Sequence, residues 1–251
     1  MHPEAYEAYL KGRYMIERRT EAALRGGPAQ FEAAVRLDPT SALVHVGIAD
    51  AHNLMGFYSI LAPREAFPRA QAAARRALEI DPSSAEALTS LAYGTLYYDW
   101  DFAEAGRQFR KAIELNPKYS TAHLWYANLL FMSEGYDSSL AEFTIARTLD
   151  PLSMPANTSF GWLAYYYRRH EEAHAQLRKA IELLPDFLMA HYWLGLTCAQ
   201  MGLHDEAIAE FERGIAIAGR YPMTLTGLAY AHATAGRERS EERRVGKECR
   251  L

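Results

Sequence analysis

The stretch Arg169–His174, RHEEAH, contains the pattern H-E-x-x-H. On a helix this spacing stacks two imidazoles one turn apart, where they grip a zinc ion while the glutamate serves as general base. Such a site needs both histidines on the body of one continuous helix and a third ligand nearby. Other reactive side chains form no pattern of their own: the chain has no glycine-rich phosphate loop and no G-x-S-x-G. Cys198 lies inside an apolar stretch and reads as a packed, inert thiol. Glu171 and Glu172 read as solvated helix charges rather than an acid–base pair. The sequence therefore predicts no catalytic residue, no metal ligand and no cofactor, and a protein that is not an enzyme; a zinc enzyme built on His170 and His174 is the remote alternative.

Composition narrows the classes further. Of 251 residues, 49% are hydrophobic and 23% charged, which suits a packed globular chain rather than a disordered one. The net charge of −4 argues against a general grip on nucleic acid, because phosphate binding needs clustered Lys and Arg. Two cysteines cannot build a disulfide framework or a Cys-rich zinc site. The N-terminal MHPEAYEAYLKGRY lacks the apolar core of a secretory signal, and no apolar run reaches membrane-spanning length. A cytoplasmic protein without a membrane segment is the expectation.

The elements that must position these residues follow a repeat. Leu37-Asp38-Pro39, Ile80-Asp81-Pro82, Leu115-Asn116-Pro117, Leu149-Asp150-Pro151 and Leu184-Pro185 recur, with the last three intervals 35, 34 and 34 residues long. Proline cannot continue a helix, so each phrase marks a helix end. Eight residues before each proline stand Phe31, Ala74, Phe109, Phe143 and Leu177; five before it stands alanine every time, at 34, 77, 112, 146 and 180. Small pairs recur earlier in each period: Leu91-Ala92, Tyr126-Ala127, Phe160-Gly161 and Leu194-Gly195. A period of 34 with these residues in phase resembles the tetratricopeptide repeat, a helix-turn-helix unit.

The resemblance covers essentially residues 4–238 and implies an all-α, right-handed superhelical solenoid of about six and a half units. Their approximate bounds are 5–41, 42–84, 85–119, 120–153, 154–187, 188–221 and a partial 222–238. Two units deviate. Gly26-Gly27-Pro28 is expected to interrupt the start of the first unit's second helix, and 56–68, GFYSILAPREAFP, is expected to form an extended loop. By repeat phase, residues 169–177 align with 203–211, so RHEEAH falls on a turn and the start of a second helix. His170 then precedes the helix, Glu171-Glu172 occupy the first turn where the helix dipole favours carboxylates, and His191 and Glu182 lie on other helices. The zinc reading loses its geometry.

In tetratricopeptide-repeat proteins the first helices line a concave groove that binds peptides or partner helices. Carried over by phase, the groove positions are Tyr93, Tyr97, Leu124, Asn128, Phe131, Trp162, Tyr165, Tyr166 and Tyr192, with Trp125 and Trp193 beside them. Only Asn128 matches the family's carboxylate clamp, so an aromatic groove for a partly apolar peptide or helix is expected. The same large residues would serve equally as wedges between helices.

HPEAYEAYLKGRY, LYYDWDFAEAGRQFRKAIELNP and LDPLSMPANTSFGWLAYYYRRHEEA also resemble the C-terminal repeat region of large bacterial regulators, where repeats follow a serine/threonine kinase or a winged-helix domain. That implies a protein-interaction module or scaffold detached from a signalling or transcriptional regulator, with no nucleic-acid contact by this region. Self-association through an uncapped C-terminal end is the alternative. Residues 239–250, RSEERRVGKECR, resemble the in-frame translation of a sequencing adapter, so 239–251 read as a non-native tail.

Overall fold

The computed structural model describes residues 2–219 and 221–236; the tail at 239–251 lies outside the described residues. Among the described residues every regular element is a helix, and none is long and apolar enough to cross a membrane. The chain forms two compact units, Met1–Pro151 and Leu152–Leu251. The first holds α1 (Pro3–Glu17), α2 (Glu21–Leu37), α3 (Ala42–Phe57), α4 (Pro63–Ile80), α5 (Ala85–Gly94), α6 (Phe102–Leu115), α7 (Ser120–Ser133) and α8 (Tyr136–Leu149). The second holds α9 (Met154–Tyr166), α10 (His170–Leu183), α11 (Leu188–Gln200), α12 (His204–Ala218) and α13 (Pro222–Thr234).

One packing device repeats in both units. A large side chain on a second helix wedges between two first helices, and glycine makes the room. Phe31 of α2 is wholly buried, and a Cβ built on Gly12 of α1 or Gly47 of α3 would stand 2.6 and 2.5 Å from its ring. In the second unit Phe211 of α12 fills the same place between Gly195 of α11 and Gly227 of α13, and Leu177 of α10 presses on Gly161 of α9. Phe109 and Phe143 are also fully buried. Each buried ring contributes roughly 1.5–3 kcal/mol by leaving water. The recurrent alanines have the complementary duty: Ala34, Ala77, Ala112 and Ala146 are wholly buried, and their carbonyls accept the backbone N–H of Asp38, Asp81, Asn116 and Asp150. That bond closes each helix just before the proline.

Turns between first and second helices need a left-handed corner. Gly135 and Gly202 supply it with φ of 103° and 76°, whereas Arg19, Ser59, Trp100 and Arg168 adopt it at φ of 55–59°. Helix α5 ends in a π-helical turn, Thr95–Asp99, before Trp100. Such wide turns occur mostly as single-turn insertions within α-helices.

Two sequence expectations need correction. Helix α2 runs unbroken through Gly26-Gly27-Pro28. The glycines are there for closeness rather than for a turn: a Cβ on Gly27 would lie 2.5 Å from Ile16 of α1, and one on Gly26 2.3 Å from Met15. Likewise 56–68 is no extended loop. Helix α3 continues to Phe57 and α4 begins at Pro63, so the surplus residues mostly lengthen helices. Pro63 suits the first turn, where its missing N–H has no partner to lose.

Candidate functional site: aromatic faces of the first helices

Helix α9 carries Trp162, Tyr165 and Tyr166 at spacings of three and four, which puts them on one face. Helix α11 adds the adjacent Tyr192 and Trp193. Together they form one aromatic cluster inside the second unit. Trp193 stands 5.5 Å from Tyr166, 5.6 Å from Tyr165, 5.3 Å from Tyr192 and 6.5 Å from Trp162. Trp162 meets Tyr166 edge-on at 5.9 Å. Edge-to-face pairs of this kind add about 0.5–1.5 kcal/mol beyond area burial. Tyr166 is 53% exposed, while Trp162, Tyr165, Tyr192 and Trp193 are half-buried. Tyr230 of α13, 40% exposed, extends the face and accepts a hydrogen bond from Gln200 Nε2 at 2.7 Å. Burial, then neighbouring tyrosines, pushes the Tyr165 and Tyr192 phenols above their usual range, so they remain neutral hydrogen-bonding groups.

The first unit treats its aromatics differently. Tyr93 is only 2% exposed, packed against Trp125 at 4.3 Å and Tyr97 at 4.5 Å. Leu124 is buried too, whereas Tyr97, Asn128 and Phe131 are half-buried. Burial followed by neighbouring phenols drives the Tyr93 pKa well up. The π-helical turn aims Asp99 so that its carboxylate accepts from Gln71 Nε2 at 2.6 Å. Deeper in this unit, Arg13 pairs with the buried Asp50 at 2.5 Å, and Ser90 donates its hydroxyl to the same carboxylate. Asn53 Nδ2 donates to the Ser90 carbonyl at 2.8 Å.

Structure resolves the H-E-x-x-H pattern as well. Helix α10 begins at His170 itself, not after it, in step with Phe102, Tyr136 and His204, which open α6, α8 and α12. His170 sits in the first turn and its ring meets Tyr165 at 5.8 Å. His174 faces elsewhere: its Nε2 lies 3.2 Å from Glu206 Oε1 on α12. Arg178 donates to the same oxygen. His191, on α11, is held by Glu210 at 2.6 Å and the Pro185 carbonyl at 2.8 Å. His123 repeats this arrangement with Glu142 and Pro117.

Sequence reading named most of the aromatic face but missed Tyr230, whose phase in the partial last unit would have flagged it. It missed the neighbours of His174 altogether, because they come from the following repeat rather than from the same helix.

Paired helices of recurring period, most of them wedged by one large side chain of the second helix, define a helical-repeat protein. A profile of the tetratricopeptide repeat matches residues 95–153 and 158–222. The chain carries tetratricopeptide repeats. It is 22% identical to the transcriptional regulator HilA of Salmonella typhimurium over 165 residues, 66% of this chain and 30% of that protein. It is 27% identical to the human protein O-mannosyl-transferase TMTC3 over 165 residues, 64% of this chain and 18% of that one. The chain thus spans less than a third of the curated relatives it matches. Among solved structures it resembles human IFIT1, with a TM-score of 0.68 and 19% identity over 86% of this chain and 50% of that one. A thermophilic tetratricopeptide-repeat protein of Thermus thermophilus gives 0.62 at 19% identity, over 71% and 97% of the two chains. These likenesses establish a shared fold.

Proposed function

We propose that the chain is a protein-interaction module that binds a partly apolar peptide or an amphipathic partner helix on the aromatic face of α9, α11 and α13. Repeats of this family serve protein recognition in general, and the partly exposed aromatic face supports that role here. The observation that carries it is the continuous contact of Trp162, Tyr165, Tyr166, Tyr192 and Trp193 with Tyr166 left 53% exposed. Tyr and Trp offer large contact area with few torsions to fix, and they dominate binding hot spots. The first unit has its own set of lining residues, half-buried Tyr97, Asn128 and Phe131, beside buried Tyr93 and Leu124. With Asn128 as the only clamp-like residue, a terminal carboxylate is not the main determinant. The role is a scaffold within a larger cytoplasmic bacterial regulator rather than catalysis; the similarity to HilA supports that setting.

The test is a selected-peptide titration on the full chain. Peptides chosen from a random library are titrated while tryptophan fluorescence is followed. Trp162→Ala with Tyr166→Ala should weaken binding by about 2–4 kcal/mol, roughly thirtyfold or more, with the melting transition nearly unmoved. Unchanged affinity with a sharply lowered melting temperature would make these rings core and defeat the proposal. Concentration-dependent mass without peptide binding would favour self-association instead.

A further inference from the structure

The sequence pattern that promised a metal site points, in three dimensions, to a different set of donors. Among the described residues, His174, Cys198 and Glu206 offer ligand atoms that all lie within 4.8 Å of one another. They come from three successive helices: α10, α11 and α12. We propose that these three side chains bind one divalent transition-metal ion of the zinc type, and that His174, but not His170, supplies the imidazole.

Donor chemistry selects the ion. A thiolate, an imidazole and one carboxylate oxygen suit zinc or cobalt(II), whereas magnesium and calcium require oxygen ligands in larger number. The immediate surroundings also fit. Cys198 is wholly buried, while the His174 and Glu206 side chains are 25% and 27% exposed, so an ion reaches the thiol from the solvent side. His174 Nε2 and Glu206 Oε1 already face each other across 3.2 Å, where one cation would take a lone pair from each. Three protein ligands leave one position of a tetrahedron for water.

Charge and protons balance. The Cys198 S–H bond breaks, its proton goes to solvent, and the sulfur electron pair forms the bond to the metal. His174 binds through Nε2 as the neutral ring with its proton on Nδ1. One thiolate and one carboxylate then neutralise the two positive charges. Arg178, half-exposed and bonded to the same Glu206 oxygen, is the competing cation and must release that atom. Ligands from three helices would tie α10, α11 and α12 together, so the ion stabilises the second unit without any change in chemistry.

The experiment titrates the purified full chain with Co²⁺ in a Cys249→Ser background, which removes the other thiol. The expected result is a one-to-one complex with a sulfur-to-cobalt charge-transfer band and visible bands of tetrahedral strength, displaced by Zn²⁺. Cys198→Ser should abolish the charge-transfer band, and His174→Ala or Glu206→Gln should weaken binding at least tenfold. His170→Ala should leave binding unchanged. Zn²⁺ should raise the melting temperature of the parent and not of Cys198→Ser. No charge-transfer band, a band that survives Cys198→Ser, or an equal loss in His170→Ala would overturn the site. Should Cys198→Ser fail to fold, the partly exposed His174→Ala and Glu206→Gln variants still decide it.

Discussion

Gly161 has no side chain because Leu177 occupies the space one would need. A Cβ there would stand 2.2 Å from Leu177 Cγ, in a wholly buried contact. Gly161→Ala is therefore expected to destabilise the second unit by about 1–3 kcal/mol, measured by urea unfolding. Gly202 lacks a side chain for a different reason. It sits at φ of 76° with nothing within 4 Å of a built Cβ, so Gly202→Ala should cost only the left-handed backbone strain, about 1 kcal/mol. Asp50 carries a third kind of constraint. Its side chain is 2% exposed and pairs with Arg13. Asp50→Ala removes the more deeply buried of that cation's two carboxylates, leaving Glu17 at 3.2 Å, and should cost about 3 kcal/mol, the low end for breaking a buried pair. Equal losses at all three positions would contradict these separate causes.

His123 adds a dependence on pH. Its Nδ1 lies 2.6 Å from Glu142 Oε2 and its Nε2 3.0 Å from the Pro117 carbonyl, both acceptors. Burial works against the charge, but the Glu142 hydrogen bond, the Pro117 carbonyl and the Glu142 charge outweigh it and raise the pKa. A raised folded-state pKa means the ring binds its proton more tightly folded than unfolded. Its stabilisation is thus complete below the usual value near 6.5 and disappears as pH rises through the folded value. Calorimetry from pH 6 upward should show the melting temperature falling more steeply for the parent than for His123→Gln. Parallel slopes would show that the ring does not titrate as described.

At the scale of elements, the sequence was legible wherever a helix end or a wedge is local. The Asp-Pro and Asn-Pro phrases mark helix ends because proline stops the helix whatever its neighbours, and the helices ending at Leu37, Ile80, Leu115 and Leu149 obey them. Alanines five residues before those prolines are buried for the same periodic reason. Legibility failed where a residue answers to a partner far along the chain. Gly26-Gly27-Pro28 looks like a turn, yet its glycines serve close contact with Met15 and Ile16 inside a continuous helix. Gly56–Pro68 looks like a loop because two prolines and a glycine lie together, yet helix packing takes up most of it. The candidate site divides likewise. Helical spacing alone puts Trp162, Tyr165 and Tyr166 on one face, but only packing distinguishes half-buried Tyr192 from the buried Tyr93. The Cys198 and Glu206 neighbours of His174 arise from three helices, a relation that no single-helix pattern encodes.

At the scale of the whole molecule, each unit keeps one set of helices for wedging and another for display. Second helices insert Phe31, Phe109, Phe143, Leu177 and Phe211 into the core. First helices meet one another in each unit and leave part of their aromatic residues in solvent. The proposed recognition face lies on the first helices, a spatial statement open to direct measurement. Hydrogen–deuterium exchange of the full chain, with and without a saturating selected peptide, tests it. Added protection is expected to concentrate on α9, α11 and α13, with α10 and α12 little changed. Protection confined to α10 and α12, or none on the first helices at saturation, would contradict it.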